Sequence, residues 1–146
     1  MTKFSSFAGL GAAFVALAEE LHHHKLAAME KGCRILEDEA KAAIGTYRDG
    51  YNWPQLADST QEERARLGYP PNEPLLRTGE LRDSIKHTVE SADLGFVGTN
   101  DAVAKYQEFG TSKIPPRPFL GGALHAKGEE IAECFGGALK ATIESK

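Results

Sequence analysis

Apolar residues in the first third of the chain recur at spacings of three and four, and no proline occurs from Phe7 to Tyr47. This spacing places them on one face of an α-helix, so it predicts one long N-terminal helix or two helices in line. A step of five residues between Leu21 and Leu26 rotates the apolar face around the axis. The two halves are therefore expected to contact different neighbours, or to meet at a kink near residues 22–24. A helix of this length cannot bury its whole apolar face in so small a domain, which indicates contacts with partner subunits.

Residues 48–78 form a connector that is rich in turn-forming residues and holds four of the seven prolines. Within it, the sequence of residues 59–62 has the form of a capping box, so we expect Ser59 to begin a short helix. Gly68, with a proline two residues later, is expected to end that helix. Trp53 is expected in the core, with a contact to another subunit as the alternative.

The pattern changes after the connector. Leu81 and Ile85 lie on one side of a short helix that Thr78 is expected to cap. From Ile85 onward, apolar residues alternate with polar ones in two short runs joined by residues 91–93, which predicts a β-hairpin. His87 is expected to be a structural histidine with hydrogen-bond partners rather than a catalytic base. The side chains predicted to share a side are Ile85, His87 and Val89 on the first strand, and Leu94 and Phe96 on the second.

The last third predicts two helices separated by a proline-rich loop. Asn100 and Asp101 cap a short helix over residues 102–109, and Gly110 ends it. Pro118 is expected in the first turn of the last helix, where its missing N–H costs nothing. The apolar face of the last helix is predicted to comprise Leu120, Leu124, Ile131, Phe135 and Ala138.

Together these elements predict an α+β fold with a long N-terminal helix, a small antiparallel sheet with a β-hairpin, short middle helices and a C-terminal helix. We expect one domain over residues 1–146, divided into the N-terminal helix (1–47), the connector (48–78), and the sheet with the C-terminal helix (79–146).

The composition is that of a soluble globular protein, with 41% hydrophobic and 26% charged residues. A net charge of -4 argues against sequence-specific nucleic-acid binding, which needs clustered cations. Cys33 and Cys134 are expected to be free thiols in a reducing cytoplasm. No apolar run approaches the ~20 residues of a membrane span, and no leader pattern begins the chain.

Candidate chemistry is sparse. The motifs of serine hydrolases, P-loop nucleotidases and zinc proteases are absent from the sequence. Three consecutive histidines at residues 22–24 point in different directions on a helix, so they cannot all reach one metal ion. We expect no catalytic residue, no cofactor and no metal. A small enzyme or a monomeric ligand-binding module is the alternative of another class.

Four motifs occupy, in order, residues 76–85, 97–100, 106–111 and 116–120, and a further segment begins at Trp53. Together they resemble the motifs of the tailed-phage head-to-tail joining and tail-completion family, which includes the virion morphogenesis proteins of Mu-like phages. The resemblance covers about two thirds of the chain, from Trp53 to the end. It implies structural roles for Thr78, Gly79, Leu81, Gly98, Phe109, Gly110, Arg117, Pro118 and Phe119.

The resemblance implies a structural virion protein of the phage neck or upper tail, assembled in the cytoplasm of the bacterial host. Its expected partners are copies of itself in a ring, a hexamer or dodecamer, together with neck, portal-side adaptor and tail tube proteins. DNA would pass through the ring without specific binding, and no membrane is involved. A tail terminator or a neck adaptor ring is the alternative within the same class.

The loop before the last helix is the expected contact surface, because prolines make it stiff and cheap to order. Arg117 beside Phe119 is predicted to contact a neighbouring subunit, with an ion pair at the helix start as the alternative for Arg117. The residues assigned to this surface are Lys113, Ile114, Pro115, Pro116, Arg117 and Phe119.

Overall fold

The computed structural model describes residue 3 and residues 5–145 and has the predicted α+β architecture. The long N-terminal and C-terminal helices, the short middle helices and the β-hairpin are all present. In chain order the elements are α1 (Phe7–Ala43), α2 (Asp58–Arg66), α3 (Glu80–Ser84), β1 (Lys86–Ser91), β2 (Leu94–Gly98), α4 (Ala102–Phe109) and α5 (Phe119–Glu144). No helix within the described residues is both long enough and apolar enough to cross a membrane.

Helix α1 is one helix of 37 residues that continues without a break through residues 22–24. It ends at Ala43, four residues before the predicted end at Tyr47. The next turn explains this early end, because Gly45 has a φ of 89° and its N–H donates to the carbonyl of Pro74 at 2.7 Å. The left-handed conformation of Gly45 is typical of a helix C-terminus.

Helices α1 and α5 pack against each other in antiparallel directions. Three contacts fix the direction: His24 Nδ1 lies 2.7 Å from Thr142 Oγ1, Gly32 faces Ile131, and Ala43 shares the core with Phe119. Because α5 ends two residues after Thr142, most of residues 7–23 of α1, a stretch about 25 Å long, lies beyond the end of α5. We call residues 7–23 the N-terminal arm. None of residues 5–27 is buried.

The core lies at the opposite end of α1, around the C-terminal end of that helix. Trp53 belongs to it, which confirms the core prediction for this residue, and the ring of Tyr51 packs edge-on against Trp53 at 5.1 Å between centroids. The helix start of α5 closes the core. The buried cluster comprises Ala40, Ala43, Ile44, Trp53, Leu81, Ile85, Ala104, Phe119 and Ala123.

Strands β1 and β2 form the predicted hairpin, with His87 opposite Val97 and a bulge between Val89 and Ser91. One side of the hairpin lies on α1, and Gly95 approaches Cys33 so closely that a Cβ would lie 2.6 Å from the sulfur. Both cysteines are free thiols, as predicted, and burial raises the pKa of Cys33. Leu94 and Phe96 share the other side, which is exposed.

The predicted capping box is wrong. Helix α2 begins at Asp58, so Ser59 lies inside it, and the residue at the N-cap is Ala57 without a side-chain hydrogen bond. Gln61 Nε2 donates to the carbonyl of Leu56 at 2.8 Å, which ties the helix to the preceding segment without capping its first N–H groups. Asp58 in the first turn is favourable because the helix dipole is positive there.

Two other helix starts differ from the predictions by one residue. Helix α3 begins at Glu80, and Gly79 with a φ of 89° holds the N-cap position assigned to Thr78. The Thr78 hydroxyl still accepts a long hydrogen bond of 3.4 Å from the Glu80 N–H. Pro118 is the N-cap residue of α5, outside its first turn, with a ψ of 99°. The prediction for α4 is confirmed, because Asp101 caps it and it ends at Gly110.

The apolar face predicted for α5 is partly wrong. Leu124 is exposed, whereas its neighbour Ala123 is completely buried in the core. Thr142 is also buried, and its hydroxyl donates to the carbonyl of Ala138 at 2.9 Å. Small side chains occupy these positions because α5 packs closely against α1, so the buried face does not follow side-chain hydrophobicity alone.

Candidate functional site

An open groove of about 760 Å³ lies between α2 with its connector on one side and α4 with the following loop on the other. We call it the α2–α4 groove. Its walls come from segments within residues 55–64, 75–81, 101–107 and 113–117, together with Tyr69. These segments include parts of three of the four ordered motifs and of the segment that follows Trp53. The fold therefore brings distant stretches of the chain to one surface feature.

The connector wall is fastened by Arg64. Its Nη1 donates to the carbonyls of Glu73 at 2.7 Å and Leu76 at 3.0 Å, which ties α2 to the segment before α3. Helix α2 ends as predicted, with Gly68 in a left-handed conformation. The N–H of Tyr69 then donates to the carbonyl of Arg64 at 2.9 Å, which directs the chain back along the groove.

Arg117 joins the two walls. Its Nε and Nη2 donate to the carbonyl of Pro54 at 3.1 and 2.9 Å, and Nη2 also donates to the carbonyl of Gln55 at 3.1 Å. Its backbone N–H donates to the carbonyl of Gln107 at 2.7 Å. The side chain is only 4% exposed. Among the described residues Arg117 forms no ion pair, so the alternative of an ion pair at the helix start is wrong. Its burial also leaves almost no side-chain surface for a direct contact with a neighbouring subunit.

Phe119 is also placed inside the chain, completely buried in the core. A completely buried side chain cannot touch a neighbouring subunit, so Phe119 is not part of the exposed contact surface. Of the six residues assigned to the contact surface, Lys113, Pro115 and Pro116 are exposed and Ile114 is half-buried. These four remain candidates for contact.

The loop that carries them is held in a defined shape. The N–H of Thr111 donates to the carbonyl of Ile114 at 2.9 Å, and the Thr111 hydroxyl accepts from the N–H groups of Lys113 and Ile114 at 3.2 Å each. Gly110 adopts a φ of 74°, and a Cβ on it would lie 2.7 Å from the nitrogen of Pro116. Only glycine fits this position without strain.

Glu108 fixes the other end of the loop and was missed by the sequence analysis. Its carboxylate accepts from the N–H groups of Leu120 at 3.0 Å and Gly121 at 2.8 Å, at the start of α5. Pro118 at the N-cap has no side-chain acceptor, so the first amides of α5 need one from elsewhere. A proline at the N-cap is therefore the feature of the sequence that could have predicted a carboxylate from a neighbouring segment at this helix start.

The groove carries an excess of positive charge. Four cationic side chains line it, Arg64, Arg77, Lys113 and Arg117, against two carboxylates, Glu80 and Asp101. Among the described residues no carboxylate forms an ion pair with any of the three arginines. The carboxylate of Asp101 accepts the N–H of Val103 at 2.9 Å and so serves as the cap of α4.

The arginines also influence one another. Burial lowers the pKa of Arg64, and the nearby charge of Arg77 lowers it further. Burial likewise lowers the pKa of Arg117, and Arg64 adds to that effect while Tyr47 opposes it. The Arg77 guanidinium lies over the ring of Tyr69, 4.7 Å from the centroid. Within the described residues, these three arginines are therefore not paired with carboxylates: Arg64 and Arg117 donate to neutral backbone carbonyls, and Arg77 lies over an aromatic ring.

A second surface feature is the outer face of α4. Val103, Tyr106 and Phe109, which the sequence placed at spacings of three, are all exposed, and Phe109 is 76% exposed. Phe109 was expected to have a structural role, but it contributes little to the core of this chain. We call these three residues the α4 apolar face.

The remaining motif residues divide into two groups. Leu81 is buried in the core and Gly79 starts α3, so both have the structural roles expected of them. Thr78 is exposed. Gly98 ends β2 with open space where a Cβ would be, and nothing in the structure explains a glycine there.

His87 has the partners predicted for a structural histidine. Its Nε2 lies 2.9 Å from Glu30 Oε1, and its Nδ1 contacts Glu37. Hydrogen bonds with the two carboxylates raise the pKa of His87. This arrangement fastens β1 to α1. The histidines at residues 22–24 are not part of any metal-binding group, and none is found among the described residues.

Comparison of the chain with protein-family models, with curated proteins and with solved structures finds no match.

Proposed function

We propose that this chain is a structural protein of the neck or upper tail of a tailed phage. Its role is to complete the tail and join it to the filled head as one subunit of a ring around the DNA channel. The observation that carries the proposal is the order of the four motifs, which resembles that of the tail-completion family. Parts of three of these motifs line the α2–α4 groove.

The exposed apolar surfaces favour assembly. The N-terminal arm exposes Phe7, Phe14 and Val15, and Phe7 is 93% exposed. The α4 apolar face is a second such surface. Clustered exposed apolar side chains mark interaction surfaces on many proteins. A ring needs two different surfaces on each subunit, because each copy contacts one neighbour with one surface and the next neighbour with the other.

The negative net charge of the chain is compatible with a channel through which DNA passes. With a net charge of -4, a ring of such subunits holds DNA only weakly, because attraction to the phosphates is what retains it. The proposed partners are copies of the same chain, in a hexamer or dodecamer, and neck, portal-side adaptor and tail tube proteins. The proposed location is the virion, after assembly in the bacterial cytoplasm.

Deleting the coding sequence from the phage that carries it tests this proposal. We expect filled heads and finished tails to accumulate without joining, as counted by electron microscopy, and a plasmid copy of the wild-type chain to restore infectious particles. The Phe109→Ser variant should fold but fail to restore them, because it removes a contact from the α4 apolar face. A normal yield of infectious particles after the deletion would overturn the proposal.

Leu67→Ser is the matched control. Leu67 is also an exposed apolar residue, but it lies at the end of α2, away from the α4 apolar face. This variant should restore particle yield to the wild-type level. If Leu67→Ser failed as completely as Phe109→Ser, the α4 apolar face would have no special part in joining.

A further inference from the structure

The charge of the α2–α4 groove is opposite to that of the chain as a whole. The chain has 21 acidic and 17 basic residues, whereas the groove has four cations against two carboxylates. One of those carboxylates, Asp101, is already used as a helix cap. An anionic ligand is therefore attracted to this feature although the rest of the surface repels it.

Within the part of the chain that the structure describes, Arg64 and Arg117 of the groove form no ion pair with a carboxylate. Arg117 is almost completely buried and Arg64 is half-buried, and their side-chain hydrogen bonds go only to backbone carbonyls. Buried charges in proteins are ordinarily paired, because desolvation without a counter-ion is costly. Arg77 and Lys113 are exposed and carry two further unpaired cations. A carboxylate placed among these four groups gains charge-assisted hydrogen bonds.

The shape and the remaining lining define the rest of the ligand. The lining also includes the apolar residues Leu56, Leu75, Val103 and Ile114. The volume of about 760 Å³ lies within the range typical of binding pockets, and it is open along one side. An extended peptide of a few residues that alternates acidic and aliphatic side chains matches both features.

A nucleic acid matches less well. Single strands bind through exposed aromatic rings on which bases stack, and the one aromatic residue that lines the groove, Tyr69, is covered by Arg77.

We propose that the α2–α4 groove is a docking site for an acidic, aliphatic peptide segment of a partner protein. Carboxylates of the segment lie beside Arg77 and Lys113 and above Arg64 and Arg117, and its aliphatic side chains contact the apolar lining. This proposal stands on the groove alone. It does not require the neck role, so peptide binding and particle assembly can fail independently.

The test uses the full chain and a blocked hexapeptide that alternates glutamate and leucine, with calorimetry at about 0.15 M salt to screen long-range effects. The comparison peptide alternates glutamine and leucine. We expect the glutamate peptide to bind roughly tenfold more tightly, as befits at least one desolvated charge pair. Arg77→Glu should weaken that binding by roughly tenfold or more, and its fold should survive because the residue is exposed.

Lys105→Glu is the matched control, with the same charge change on α4 but outside the groove lining. It should change the affinity by less than about twofold at this salt concentration. Equal affinity for the two peptides, no binding of either, or equal weakening by both variants would overturn the proposal. So would tighter binding of a single-stranded oligothymidylate than of the glutamate peptide.

Discussion

At the scale of single residues, Arg117 and Glu108 fix the loop between α4 and α5 from inside the chain. Arg117 donates three side-chain hydrogen bonds to the carbonyls of Pro54 and Gln55. Glu108 accepts two from the first amides of α5. Both residues therefore determine where the exposed part of the loop lies, although Arg117 itself is buried.

Gly110 provides the sharpest residue-level prediction. We expect Gly110→Ala to lower the free energy of unfolding by roughly 2–3 kcal/mol, because φ is 74° and the new Cβ would lie 2.7 Å from the Pro116 nitrogen. Gly136→Ala is the control, since Gly136 is inside α5 with open space around it. That change should raise stability by about 0.5–1 kcal/mol. Equal effects of both changes in urea titrations would contradict this account of Gly110.

His87 predicts a pH dependence. Hydrogen bonds with Glu30 and Glu37 raise its pKa above the ordinary value of 6.5, so the stability it contributes is complete below 6.5 and is lost as the pH rises through the raised pKa. The pKa of Glu30 is lowered, chiefly by the hydrogen bond with His87. Burial raises the pKa of Glu37, but hydrogen bonds from Lys41 and His87 outweigh it. The contribution of the two carboxylates is therefore present above 4.5 and lost as the pH falls.

The urea midpoint should accordingly decrease between pH 6 and pH 9, and His87→Gln should remove most of this decrease. His125→Gln serves as the control, because His125 is exposed on α5. It should leave the pH dependence as in the wild type. A His87→Gln protein with an unchanged pH profile would show that the contacts of His87 do not stabilise the fold.

At the scale of elements, α1 divides into a C-terminal half with buried residues and an N-terminal arm in which no residue is buried. Its C-terminal half packs against α5 and the hairpin, whereas the N-terminal arm lies beyond the end of α5. Isolated helices of this length are marginal in water, so the arm is expected to gain stability from a partner.

Removing the arm should leave the core intact. A chain that begins at His22 retains the contact between His24 and Thr142, and none of the described residues that it lacks is buried. We expect its thermal midpoint to stay within about 2 °C of that of the full chain, since surface changes usually alter stability by less than 0.5 kcal/mol. A decrease of 10 °C or more would show that the arm folds back onto the core.

The elements themselves were largely predictable from local patterns. Spacings of three and four gave both long helices, alternation gave the hairpin, and Asp101 with Gly110 gave the limits of α4. Where prediction failed, tertiary contacts decided the outcome. Leu124 is exposed because close packing of α5 on α1 selects Ala123 for the interface. The start of α2 also differs from the prediction, because the helix begins at Asp58 and Ser59 lies inside it.

The candidate site was predictable only in part. The resemblance indicated several of the segments that line the groove, including part of the loop at residues 111–118. No local pattern shows that these segments meet in one groove. The burial of Arg117 was also hidden, because its partners are carbonyls of residues more than 60 positions away. Every residue type has a backbone carbonyl, so the sequence does not show which carbonyls accept hydrogen bonds from a distant side chain.

At the scale of the whole molecule, the candidate contact surfaces lie at opposite ends. Helix α4, which carries the α4 apolar face, adjoins the core through Ala104, near the C-terminal end of α1. The arm occupies the other end of a helix about 55 Å long. Different surfaces at opposite ends favour contacts of the head-to-tail kind, which close into a ring or extend as a filament.

The proposed neck role is tested most directly by cryo-electron microscopy of joined phage particles that were assembled with this chain. The account predicts a closed ring of copies between the head and the tail tube, with the arm of each copy packed against a neighbour. Absence of the chain from the neck and the upper tail of the particle would contradict it.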